Sequence, residues 1–296
     1  MKSFFRFLKI VFISFSILLL TAVSLFSQSK NNAPFANKSW TVKPFERKGF
    51  IENKGQFENR LPDDKKTFNY AIDKGFQVFF YANEIDYRFT KYAKSKETLI
   101  DKFKSEAKRE AKEHEIKSQT QFVNVKWLNA NPNATIVVED KQSTYYSYVI
   151  NNNTENPSTV MCAGYSKLIY KNLYNGIDVE YVFHPDNGIE YSLLVHPGAD
   201  ISQVKMQYTG ALGIEPNEQD GDIHIPTLLG DIIDHAPLTY YANSKEKIAS
   251  SFTINDNIVS FAIPSYLKDQ EIIIDPWTVV PGFSPSQAFD NGVDNL

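Results

Sequence analysis

The chain reads as all-β: one or two antiparallel, sandwich-like units carrying a single surface helical insertion at about residues 94–117. Three observations give that reading. Strand-forming residues are abundant, with 22 Phe and 16 Tyr beside many Val, Ile and Thr. Asn, Asp, Gly and Pro break them into short runs at intervals of roughly ten residues, the spacing of a sandwich or barrel. Within several runs apolar and polar residues alternate with period two, which sets one face toward a core and the other toward water. No internal repeat of fixed period is present.

The N-terminus sets the compartment. Lys2, Arg6 and Lys9 precede an apolar run from Ile10 to Leu20, and small residues (Ala22, Ser24, Ser27) come just before a polar stretch. This is the pattern of a Sec signal peptide over residues 1–27, cut near Ser24 or Ser27. A membrane anchor fits less well, because Ile10–Phe26 includes four hydroxyl side chains and falls short of the roughly 20 apolar residues a span needs. No Cys stands at the end of the run to accept a lipid. Losing three of the 31 basic residues leaves 28 against 35 acidic ones, net −7. A mildly acidic exported chain is not built to coat nucleic acid or anionic lipid. Cys162 is the only cysteine, so no internal disulfide forms and the core alone must hold the fold. The thiol reads as a small buried hydrophobe.

Residues 28–47 read as a linker. A first β-unit, 48–151, contains candidate strands at Phe76–Tyr81, Ile85–Thr90, Phe122–Leu128, Thr135–Glu139 and Thr144–Ile150. Its insertion, Lys94–Lys117, lacks turn residues and is rich in Lys, Glu and Ala, which favour helix. Leu99, Ile100, Phe103 and Ala107 make one narrow apolar stripe on an otherwise charged circumference, so the helix should lie on the surface. Mixed signs there favour a solvated connector over a basic recognition helix. The polar stretch Asn151–Thr159 is the best boundary. A second unit, 160–275, holds candidate strands at Lys167–Tyr170, Ile177–Phe183, Ile189–Val195, Val204–Tyr208, Ile223–Ile225, Leu238–Tyr241, Ile248–Ile254, Ile258–Ile263 and Glu271–Ile274. Residues 276–296 turn polar and read as a further linker.

One hairpin can be set in register from its pattern. Ile177, Val179, Tyr181 and Phe183 form one stripe, and Ile189, Tyr191, Leu193 and Val195 another. Paired residues share a face, so the stripes coincide when Phe183 faces Ile189 and Tyr181 faces Tyr191, across a three- or five-residue loop. The opposite face then carries Asp178 and Glu180 near Glu190 and His196. Two such carboxylates could serve as the acid and nucleophile of a glycosidase, or share a calcium ion given further oxygen ligands. A solvated strand face looks the same, and is the commoner case. Tyr145, Tyr146 and Tyr148, with Tyr240 and Tyr241, are dense enough for a sugar-stacking platform, although alternating Tyr is more often half-buried packing. The five histidines are scattered without ligand spacing, and no GxSxG, Walker or GxGxxG motif occurs. No catalytic residue, cofactor or metal site is expected.

Blocks at Phe50–Phe57 (FIENKGQF), Val78–Phe89, Tyr165–Tyr181, Gly188–Ala211, Gly221–Tyr241 and Glu271–Trp277 (EIIIDPW) carry a family likeness. Together they resemble the uncharacterised β-rich domain that precedes SBBP-type β-propeller repeats in large secreted bacterial proteins. Bacteroidetes relatives of that kind continue into modules for gliding motility and type IX secretion. The resemblance implies a non-catalytic structural or interaction module of an exported cell-surface protein, adhesion- or gliding-associated. Its partners would be neighbouring domains and surface glycan or protein. It implies no catalytic residue. On this reading a propeller should follow Leu296, and a chain truly ending there would stay periplasmic. The alternative is a carbohydrate-binding or carbohydrate-active module using the Tyr clusters and the carboxylate face.

Overall fold

The computed structural model describes residues 48–57, 61–74, 76–92, 118–151, 158–185 and 188–281, all within the unit Lys48–Leu296. The expected signal peptide at 1–27, the expected linkers at 28–47 and 282–296 and the expected helical insertion at 94–117 lie outside the described residues. Seventeen strands are described. They are β1 (Phe50–Glu52), β2 (Tyr70–Asp73), β3 (Gln77–Phe80), β4 (Glu84–Tyr92), β5 (Ser118–Trp127), β6 (Thr135–Asn151), β7 (Ser158–Tyr174), β8 (Ile177–Phe183) and β9 (Ile189–Val195). They continue as β10 (Met206–Thr209), β11 (Glu215–Pro216), β12 (Ile223–Thr227), β13 (Gly230–Tyr241), β14 (Lys247–Ile248), β15 (Ser251–Asn255), β16 (Ile258–Ala262) and β17 (Ile272–Val279). Among the described residues, helix is confined to 3-10 turns such as Ile201–Gln203, where Asp200 accepts the Ser202 N–H.

The antiparallel all-β expectation holds, with the strands in one large sheet that curls until it is nearly closed into a barrel. From one end the strands pair in the order β15, β16, β10, β5, β4, β3, β2, β1, β7, β8, β9, β17, β13, β12, β11. β6 lies along the other edge of β7, pairing from Thr135↔Lys171 to Asn151↔Ser158. The strands flanking residues 152–157 are therefore hydrogen-bonded to each other.

The central hairpin has the register its stripes predict: Phe183 faces Ile189 and Tyr181 faces Tyr191. Both stripes are mostly buried because they line the sheet's concave interior. Several other elements are longer than their local sequence suggests. The two runs at 135–139 and 144–150 join into one 17-residue strand, with a bulge between Lys141 and Tyr145. β7 begins at Ser158 instead of Lys167, and β17 runs past Pro276 to Val279. β13 begins at Gly230, where the pattern suggests Leu238, and its register shifts between His235 and Leu238 around Pro237. A proline has no N–H for the ladder, so a bulge is the usual accommodation.

Two apolar clusters result. The large one fills the concave side of the sheet with Tyr87, Trp127, Tyr170, Tyr181, Leu193, Ile272, Ile274 and their neighbours. The smaller one, Phe57, Leu61, Phe68, Ala71, Phe79 and Tyr81, is joined by Tyr148 from β6. Phe79 alternates with Val78 and Phe80 across β3, so this short strand is buried on both faces and separates the clusters.

Candidate functional site

The carboxylate face lies on β8, β9 and β17. Asp178 has a side chain only 10% exposed. Its Oδ1 accepts the Asn172 N–H at 2.6 Å, and its Oδ2 lies 2.9 Å from Lys171 Nζ and 3.6 Å from His196 Nε2. Burial alone would raise this acid. The Asn172 N–H, then Lys171 and His196, outweigh burial and hold it below the ordinary aspartate value. His196 Nδ1 is 2.7 Å from Glu271 Oε2, so the ring bridges two carboxylates. This cluster braces the turn between β7 and β8 against the start of β17.

Glu180 pairs with Lys167 at 3.1 Å. Glu190 sits diagonally across the hairpin, opposite Val182. Its acid is pushed up, first by burial and then by Asp275 and Glu180. Asp275 also accepts Ser192 Oγ at 2.6 Å. Carboxylates from three adjacent strands thus share one face, each already held by a lysine, a hydroxyl or a neighbouring acid. Among the described residues, no group of three or more His, Cys, Asp or Glu is placed to hold a metal ion.

Trp277, directly opposite both Glu190 and His235, continues this face. His184 stacks on it at a centroid distance of 4.0 Å and His235 at 3.9 Å. His235 Nδ1 in turn meets Asp222 Oδ2 at 2.7 Å. Both His rings lie nearly parallel to the indole, so the broad surface a sugar would stack on is already taken by protein.

The tyrosines do not assemble into one platform. Tyr145 is 52% exposed, with Lys141 Nζ 5.9 Å from its ring centre. Tyr146 packs over Gly49 and Gly164 and donates to Gln142, while Tyr148 packs on Phe57 at 5.2 Å. Tyr240 lies beneath Lys245 Nζ at 4.9 Å, and the Tyr241 hydroxyl accepts the Leu267 N–H. Four strands of the sheet intervene between β6 and β13, which separates the two groups.

The most concentrated polar chemistry is inside. Asp234, fully buried on β13, accepts Tyr191 Oη at 2.6 Å, Tyr208 Oη at 3.4 Å and Thr278 Oγ1 at 3.0 Å. Burial pushes its carboxyl up to about 7 against the pull of the three hydroxyls. The same surroundings drive the Tyr181, Tyr191 and Tyr208 phenols far above their ordinary value, burial first and the Asp234 charge among the further causes. Beside this cluster is a cavity of about 10 Å³ lined by Tyr87, Trp127, Tyr181, Tyr191, Tyr208 and Thr278. That is about the space of one water molecule. Asp234 has the inward parity of Ile232, so an acid in an apolar stripe was the signal available in the sequence.

The family profile of a domain of unknown function (DUF7948) matches residues 50–277. The chain belongs to this family. No curated protein and no solved structure matches the chain. The match agrees with the sequence resemblance in giving an uncharacterised domain over these residues. Its bounds follow the sheet: the DUF7948 span opens on Phe50, the first residue of β1, and closes on Trp277 within β17. The Asp234 cluster, the His–Trp–His stack and the carboxylate face all fall inside it.

Proposed function

We propose that the DUF7948 domain is a non-catalytic structural and interaction module of an exported cell-surface protein, adhesion- or gliding-associated and placed ahead of a β-propeller. The observation that carries this reading is the interior. Among the described residues the concave side of the sheet is packed with side chains, and the pocket beside Asp234 measures about 10 Å³, room for a water molecule and not for a sugar. The outward carboxylates are tied into the sheet by Lys167, Lys171 and Ser192. The basic and apolar leader over residues 1–27 supports export.

Two measurements test it. Residues 1–47 fused to alkaline phosphatase should give activity outside the cytoplasm, lost when Ile10–Leu20 is made polar. Retention of the reporter inside the cell would exclude export. A panel of polysaccharides should show no soluble product with the full chain, and turnover that falls in Glu190→Gln would overturn the non-catalytic reading.

The second reading, a carbohydrate-binding module, has one observation in its favour. Asp275, Glu190 and Glu180 lie close enough to Tyr240 to raise its phenol after burial, so acids and an aromatic share one face. Glycan-array binding lost in Tyr240→Ala, in a chain of unchanged stability, would establish it.

A further inference from the structure

β6 differs from every long strand around it. Of its described side chains, Thr135 to Ile150, none is buried, whereas β7, β8 and β9 each bury several. Among the described residues it has one hydrogen-bonded neighbour, β7, so its other edge presents a 17-residue row of backbone donors and acceptors. Natural sheets shorten, charge or cover such an edge, because it templates pairing with another strand. This edge also bears apolar side chains in the open: Val137 at 39%, Tyr145 at 52%, Val149 at 56% and Ile150 at 38% exposure, with Met161 of β7 at 57% directly opposite Ser147.

We propose that β6 is a docking edge for a second copy of this chain, the two β6 strands pairing antiparallel about a twofold axis at Ser143. The sequence of the strand selects that partner and that register. Ser143 is the midpoint of Thr135–Asn151, so this register overlaps the whole strand. It sets Val137 of each copy opposite Val149 of the other on one face, and Ile136 opposite Ile150 on the other face. Val138 then meets Tyr148, and no like charges face each other. Moving the axis one residue to Thr144 sets Glu139 against Val149, moving it one residue to Gln142 sets Val137 against Ser147, and moving it two residues to Lys141 sets that lysine against its own copy. Cross-strand apolar pairs stabilise a ladder and opposed like charges weaken it. The bulge between Lys141 and Tyr145, beside Asp140 with φ +55°, leaves the faces in phase: the pairing with β7 shifts by two residues there, and the odd-numbered side chains stay exposed from Thr135 to Val149, where a second shift of one residue precedes Asn151. The pairing is main-chain strand addition, with alternate side chains supplying specificity. It stands apart from whatever the module binds elsewhere.

The test uses the full chain and a short bismaleimide at dilute protein concentration. Ser143→Cys should be captured as a covalent dimer, because the two introduced thiols face each other only in this register. Buried Cys162 supplies the unreactive background, so the unaltered chain should remain single. Adding Val137→Lys and Val149→Lys opposes two lysines at each end of the seam and should abolish capture. Both valines are open to solvent, so the thermal midpoint of the single chain should not move. Ser143→Cys remaining single, or capture that survives both lysines, overturns the proposal.

Discussion

Tyr191 on β9 donates its phenolic hydrogen to Asp234 on β13 across 2.6 Å, in a region fully closed to solvent. β17 lies between these two strands, and its Thr278 donates to the other oxygen of the same carboxylate. One buried acid therefore ties three neighbouring strands, with Tyr208 on β10 approaching from across the interior at 3.4 Å.

That acid makes stability depend on pH in an unusual sense. Its folded value is raised to about 7 from an ordinary 3.8, so the folded chain holds this proton more tightly than the unfolded one. The contribution is fully present below about pH 4 and is lost as pH rises through 7, roughly 4 kcal/mol over the window. Asp234→Asn, which keeps an acceptor and removes the charge, should lose this dependence and be the more stable form at pH 8. Urea denaturation of both proteins from pH 4.5 to 8.5 measures the difference, and parallel curves would contradict the assignment.

A second buried carboxylate has a cation beside it. Asp86 has a side chain with no exposure, Lys65 Nζ at 3.0 Å and Asn124 Nδ2 at 2.7 Å. Lys65→Met strands that charge and should cost about 3 kcal/mol. Lys66→Ala, which removes the pair with the solvated Asp63, should leave the denaturation midpoint unchanged.

Two tyrosines on β6 should diverge. Tyr148 packs edge-on against Phe57 in the smaller core, and its replacement by Ala should cost about 2 kcal/mol. Tyr145 is 52% exposed, and the same replacement should stay within about 0.5 kcal/mol. Equal effects in thermal melts would mean that the inward and outward positions of β6 are assigned wrongly.

Gly210 follows β10 with φ +86°, and a Cβ there would meet the Phe122 carbonyl oxygen at 2.3 Å. Backbone is the obstacle, so no side chain can rotate away. Gly210→Ala should lower stability by about 2 kcal/mol or more. Gly213→Ala, with open space around the added methyl group, is the control in the same loop.

Period-two alternation was enough to read the all-β class and the register of the Phe183–Ile189 hairpin, because strand faces are decided by neighbours two residues away. It also placed Asp178, Glu180 and Glu190 together on the outward face. It failed where strands run through polar or proline-bearing sequence: the ladders of β6, β13 and β17 lapse at Gln142–Thr144, Pro237 and Pro276, and each strand continues because pairing with its neighbours resumes on the far side. The Asp234 cluster could not be read locally at all. Its hydroxyls come from Tyr191, Tyr208 and Thr278, up to 44 residues away in sequence. The stack of His184 and His235 on Trp277 is of the same kind. Alternation says which way a side chain points. Only the curling of one sheet decides which distant side chains it meets, and therefore which buried charge finds its partners.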